Sequence, residues 1–136
     1  MSATVSDEII YPTKEYILKA HEEALSFGGA EGVMDEGKID FLCSYLRDRR
    51  LSGTRTDIIV KKAAFILHYI VTQHPFIDGN KRTGFAVSMQ FIDLNGFLVK
   101  FTEDEMEKLL LNLANLQLDV LETEKWIKER IYEITL

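Results

Sequence analysis

The chain has 136 residues, 46% of them hydrophobic and 28% charged, with a formal net charge of −6 and one cysteine. That length and apolar share can bury one core, so a single domain is expected over residues 1–136. The acidic balance argues against general nucleic-acid binding, Cys43 alone permits no intrachain disulfide, and no signal peptide, membrane-length apolar run or lipidation motif is present, which makes the cytoplasm the expected compartment.

In chain order the pattern is predominantly helical, with no repeats and no linker between domains. Thr13 is placed to cap a first helix running to about Ser26, with Tyr16, Ile17, Ala20, Ala24 and Leu25 on its apolar side and Gly28-Gly29 as its stop. A second helix is predicted from about Gly37 to Arg47. It carries Cys43 among Ile39, Phe41, Leu42 and Leu46, a setting for a small buried hydrophobe rather than a reactive thiol. The pattern breaks at Leu51-Ser52-Gly53-Thr54, which suits a mobile loop, a short hairpin or a plain helix connection. Around it Arg47, Arg49, Arg50, Arg55, Lys61 and Lys62 form a basic stretch.

Asp57 is a candidate cap for a third helix to Gln73, with Ile59, Ala63, Ile66, Leu67, Ile70 and Val71 at helical spacing. A fourth begins after Asp78-Gly79 and ends at Gly96. Its Phe85, Ala86, Val87, Met89, Phe91, Ile92 and Leu94 face several sides, the pattern of a central helix. Gly96 to Phe101 reads as a short extended linker, and Thr102 with Glu105 as a capping box for a fifth helix to about Gln117. A sixth is predicted from about Glu122 to Ile134, with Trp126 and Ile127 inward. From Glu103 to Leu136 nine acids stand against four bases, read as solvated helix faces.

The chemistry concentrates in His74-Pro75-Phe76-Ile77-Asp78-Gly79-Asn80-Lys81-Arg82. The first turn of the fourth helix, Asn80 to Thr83, offers unpaired N–H groups and the positive end of the helix dipole, an anion site before side chains are counted. Gly79 lets the backbone approach an anion closely, and Lys81 and Arg82 add charge in forms that suit phosphate. Asp78 beside that cradle suits Mg²⁺, which shares its coordination between one or two carboxylates, waters and substrate phosphates. His74 can take a proton from an incoming hydroxyl near neutral pH. Pro75 restricts the loop, and Phe76 is expected to anchor it in the core. Taken singly, these residues fit a structural histidine and an ordinary turn before a solvated helix start; the ordered combination points to a site.

The nine residues resemble the core motif of the Fic/Doc family, written HxFx(D/E)GNxRxxR, with His74, Phe76, Asp78, Gly79, Asn80 and Arg82 matching. Lys81 stands where the adenylylating branch commonly has Gly, and Phe85 where that branch has its second Arg. Both departures are similar to the death-on-curing (Doc) branch. The likeness extends from about Lys14 to Trp126 and includes the Gly-rich run Phe27 to Ile39, Ala63-Ala64, and Phe91 to Gly96.

The resemblance implies an all-α fold, a compact bundle of about six helices around a central motif helix, with a flap that aligns a target peptide by strand-like pairing. It places that flap at Ser52, Gly53 and Thr54. It implies His74 as general base, Asp78 as Mg²⁺ ligand and Gly79, Asn80, Lys81 and Arg82 as the cradle for ATP phosphates. Without the second Arg, it favours transfer of the γ-phosphate to a Ser/Thr hydroxyl of a protein substrate over adenylyl transfer; a non-catalytic interaction module is a third reading. Ser26 to Glu31 misses the spacing of the family's inhibitory motif by one residue, so a separate Phd-like antitoxin is the implied regulator. The implied target is a threonine of the elongation factor that delivers aminoacyl-tRNA.

Overall fold

The computed structural model describes residues 8–135; the first seven residues and Leu136, included in the expected domain, lie outside the described residues. The described elements are α1 (Lys14–Ala24) with a 3₁₀ turn at Leu25–Phe27, α2 (Glu36–Asp48), α3 (Arg55–Gln73), α4 (Asn80–Leu94), β1 (Phe97–Val99), α5 (Glu103–Ala114), α6 (Val120–Lys128) and β2 (Ile131–Glu133). Among the described residues the fold is all-α in character, six α-helices with one two-stranded ribbon.

Side-chain caps start most of the helices. Thr13 accepts from the Tyr16 N–H at the start of α1. Thr102 and Glu105 form the capping box of α5, and Asp119 and Glu122 form another at α6. For α3 the expected cap is corrected by three residues: Thr54 is the N-cap, and Asp57 is the third helical residue, closing a capping box on the Thr54 N–H. Asp57 accepts from the Thr54 N–H and donates its own N–H to the Thr54 hydroxyl, so the pair satisfies two donors at the helix start.

Residues 96–101 were expected as a linker and residues up to 134 as helix. Instead Phe97, Leu98 and Val99 pair antiparallel with Glu133, Tyr132 and Ile131, and α6 stops at Lys128. Ile131, Tyr132 and Ile134 are β-formers, and over so short a run a helical period cannot be told from alternation.

The core lies between α3 and α4, with α1, α2, α5 and α6 around them. The motif helix shares the central place with α3, which buries Ile59, Val60, Ala63, Ala64, Ile66, Leu67, Ile70 and Val71, whereas Ala86 and Leu94 of α4 are exposed. Gly84 permits the close crossing of the pair: a Cβ there would stand 3.1 Å from Val71 Cγ2 and 3.4 Å from Ile70. Cys43 is buried, and burial pushes its thiol pKa up.

Much of the basic stretch serves the fold. Lys62 is buried, donating to the Tyr11 hydroxyl and, at 2.8 Å, to the Leu46 carbonyl. Arg55 donates to the Asn95 carbonyl at 2.7 Å, and Lys61 pairs with Glu124 at 3.3 Å. No helix among the described residues is long and apolar enough to cross a membrane.

Candidate active site

The motif residues meet at the junction of α3 and α4. Helix α3 ends at Gln73, and His74 takes the left-handed conformation with φ 50° and ψ 60°. For a residue with a Cβ this costs on the order of 1–3 kcal/mol and persists only where the surroundings impose it. Pro75 follows, and a residue before proline is kept out of the right-handed helical region. The chain therefore turns at His74 instead of continuing α3.

Phe76 is fully buried and holds the loop down. Its backbone is closed onto the next helix by Asn80, whose Oδ1 accepts from the Phe76 N–H at 3.1 Å while its Nδ2 donates to the Phe76 carbonyl at 2.9 Å. Asn80 is itself buried. Its side chain is thus committed to the loop, while its backbone N–H, at the start of α4, stays where the expected phosphate cradle needs it. Gly79 precedes it at φ 78°, a left-handed position that suits glycine.

Beneath the loop lies His21 of α1, buried and stacked on Phe76. Its Nε2–H donates to the Asp78 carbonyl at 2.7 Å. Sequence gave no sign of this, because the partners stand 57 residues apart.

Across the other side runs the Gly-rich strap, residues 28–35. Met34 and Asp35 donate their N–H groups to the Pro75 carbonyl at 2.8 and 3.1 Å, the Ile77 N–H donates to the Gly32 carbonyl at 3.1 Å, and Val33 forms a single antiparallel bridge with Phe76. The glycines let the two segments close up. A Cβ on Gly29 would stand 2.9 Å from Asp78 Oδ2, and one on Gly32 would stand 2.7 Å from Ile77 Cδ1.

Ser52, Gly53 and Thr54, the expected flap, are a different matter. Thr54 caps α3, Gly53 turns beside Asp57, and Ser52 borders a separate surface cleft with Lys61, Glu124 and Lys128. The strand-like contact with the motif loop comes from residues 32–35 instead. Both segments are short interruptions between helices, and only the tertiary arrangement tells which one crosses the motif.

The resulting cleft has a volume of about 610 Å³ and is bordered by Gly28, Gly29, Val71, His74, Ile77 and Ala114 together with Asp78 to Arg82. Val71, Ala114 and the two glycines carried no chemical signal of their own in the sequence. His74 and Lys81 are exposed at its margin and make no ion pair or side-chain hydrogen bond among the described residues. Arg82 reaches back toward the Ala24 and Gly28 carbonyls at 3.4 and 3.5 Å, so the strap lies under its guanidinium.

The Asp78 carboxylate accepts from the Ala30 N–H through Oδ2 at 3.1 Å and from the Gly79 N–H through Oδ1 at 2.8 Å. These bonds, aided by the positive charge of Arg82, hold its pKa below the ordinary carboxylate value. Each oxygen keeps a lone pair, so an ionised, exposed, oriented carboxylate stands beside a helix N-terminus. That donor set fits Mg²⁺ shared with a phosphate ligand. It does not fit an all-protein cage, since no cluster of three or more His, Cys, Asp or Glu is present among the described residues.

The arrangement can therefore hold a phosphate chain at the start of α4, with a base at one edge and a metal-binding carboxylate at another. Residues 11–92 match the Fic/DOC family. The chain is also 29% identical over 112 residues to "Toxin Doc" of Mycolicibacterium smegmatis (strain ATCC 700084 / mc(2)155), an alignment that covers 81% of this chain and 85% of that protein.

Proposed function

The chain belongs to the Fic/DOC family, and from that premise we propose that it is a Doc-like toxin transferring the γ-phosphate of ATP to a Ser/Thr hydroxyl of a target protein. The observation that carries the choice of phosphate is Phe85. It stands where the adenylylating branch has an Arg, and its ring packs edge-on against Phe101 of the β1–α5 connection, centroids 5.1 Å apart. A side chain packed there offers no second cation to fix ATP with its α-phosphate toward His74.

In this reading the β- and γ-phosphates lie against the N–H groups opening α4, with Lys81 and Arg82 offsetting their charge. His74 removes the proton of the target hydroxyl as its oxygen attacks the γ-phosphorus. The bond from that phosphorus to the bridging oxygen breaks, and ADP departs with the electron pair. Asp78 would hold Mg²⁺, which when bound would supply charge neutralisation for the phosphate oxygens. Phosphoryl transfer asks mainly for positioning and charge, which so small a set of groups can provide. The exposed Val33, Met34 and Ile77 beside the cleft offer an apolar shelf for the target peptide, and the strap, rather than residues 52–54, is the segment to pair with its backbone.

The likeness to a protein named as a toxin supports a separate antitoxin as partner; from the family resemblance alone we take that partner to be of the Phd kind and the target to be an elongation factor in the cytoplasm. The test is incubation of the protein and its His74→Ala variant with cell extract and ATP labelled at the α or the γ position. Protein labelling from γ alone, lost in the variant, is expected. Labelling from α would make the protein an adenylyltransferase, and none from either position would favour a non-catalytic module.

A further inference from the structure

The left-handed His74 must be held by its neighbours, and the structure has a clamp on each side of it. Downstream, the Pro75 carbonyl takes the N–H groups of Met34 and Asp35. Upstream, the Lys38 ammonium donates to the Gln73 carbonyl at 2.6 Å. Both clamps come from one short stretch, residues 34–38, which leads into and opens α2.

The Gln73 carbonyl is among those that α3 leaves without an intrahelical partner, and it stands at the negative end of the helix dipole, where a cation is favoured. Lys38 makes no ion pair among the described residues, so its charge is directed to the helix end. Pro75 forbids one more helical residue, which leaves His74 a choice between an extended and a left-handed backbone. The two send the imidazole in different directions. Fixing the Gln73 carbonyl fixes the plane of the Gln73–His74 peptide, and with it the start of that choice.

We infer that Lys38 is a positioning residue for His74: by holding the last carbonyl of α3 it sets the backbone from which the imidazole meets the cleft. The inference rests on the reading of His74 as the base. A lysine that merely capped α3 would add to stability and leave the turnover number alone.

Lys38→Met keeps the aliphatic stem and removes the charge, and Lys38→Arg keeps a cationic donor. In the Met variant kcat for transfer of label is expected to fall on the order of tenfold, within the about 100-fold that a 1 Å misplacement can cost, with KM for ATP within about twofold of the unmutated value. The Arg variant should recover most of the rate. Independently of activity, the His74 Cα and amide resonances of isotopically labelled protein should move in the Met variant and stay in place in the Arg variant. A Met variant with unchanged kcat, or with His74 resonances at their original positions, overturns the inference. Should the unmutated protein transfer no label, the phosphotransfer reading fails and the His74 resonances alone decide the role of Lys38. If the Met variant does not fold, the same readings on Lys38→Gln decide.

Discussion

The imidazole of His21 lies flat on the ring of Phe76, with centroids 3.8 Å apart and planes 6° apart. One face of this pair is contributed by α1 and the other by the motif loop, so packing of the first helix and placement of the loop are one event. The same imidazole donates to the Asp78 carbonyl, which orients the peptide that opens onto Gly79. His21→Ala should therefore lose about 2–4 kcal/mol, the range for a large buried side chain truncated together with its hydrogen bond. His21→Phe keeps the stacked ring and forgoes only the donor, a loss of about 1 kcal/mol. Urea unfolding checks both; equal losses in the two variants would refute the division between ring and donor.

Gly29 and Gly28 make a controlled pair. Both have positive φ, 118° and 103°, but a Cβ on Gly29 meets Asp78 Oδ2 whereas one on Gly28 meets nothing within 4 Å. Alanine at either position carries backbone strain of about 1 kcal/mol or more. Only Gly29→Ala should also weaken Mg-ATP binding, by pushing the carboxylate aside. Calorimetric titration of the two variants tests this, and an equal effect on affinity would count against it.

Asp78→Ala should bind ATP with the same affinity in Mg²⁺ and in chelator, while the unmutated protein binds more tightly with Mg²⁺. Removing the carboxylate also removes the acceptor for the Ala30 N–H, so the strap should show faster amide exchange around Ala30. Persistent enhancement by Mg²⁺ in the variant would place the ion elsewhere.

Asp57 predicts an acid limb in stability. The Lys128 ammonium, with the Thr54 hydroxyl and N–H, lowers its pKa from 3.8 to about 2. A carboxyl depressed by folding stabilises the native state above its unfolded pKa and loses that contribution as pH falls through the folded one. The melting temperature should thus fall between about pH 4 and pH 2 by more in the unmutated protein than in Asp57→Asn. Parallel curves would show that the capping box and its lysine do not couple to folding.

Most helices, and several of their starts, were legible because they are local. Thr13, Thr102 and Glu105 do what their spacing announces, and six helices appear near the expected places. The motif was legible for a related reason, since its residues are contiguous in the chain. What escaped was whatever depends on a distant partner. His21 looks like any helical histidine until Phe76 and Asp78 arrive, and the closure of the Asn80 amide on Phe76 shows only once the loop is folded. Residues 52–54 and 28–35 have similar loop compositions, and only the packing of α1 against α4 decides which lies over the site. Lys62 belonged to an apparent basic surface and is instead a buried donor.

The ribbon of β1 and β2 joins Phe97, just past the motif helix, to Glu133, and the Ile134 N–H reaches the Gly96 carbonyl at 2.9 Å. Such a closure must bring together segments more than thirty residues apart before any bond rewards it. During synthesis β1, just past α4, cannot find its partner strand until residues 131–134 have emerged from the ribosome, although the whole motif was translated some fifty residues earlier. A nascent chain would carry every motif residue without the ribbon behind them, so translation of the motif and completion of its support are separate events.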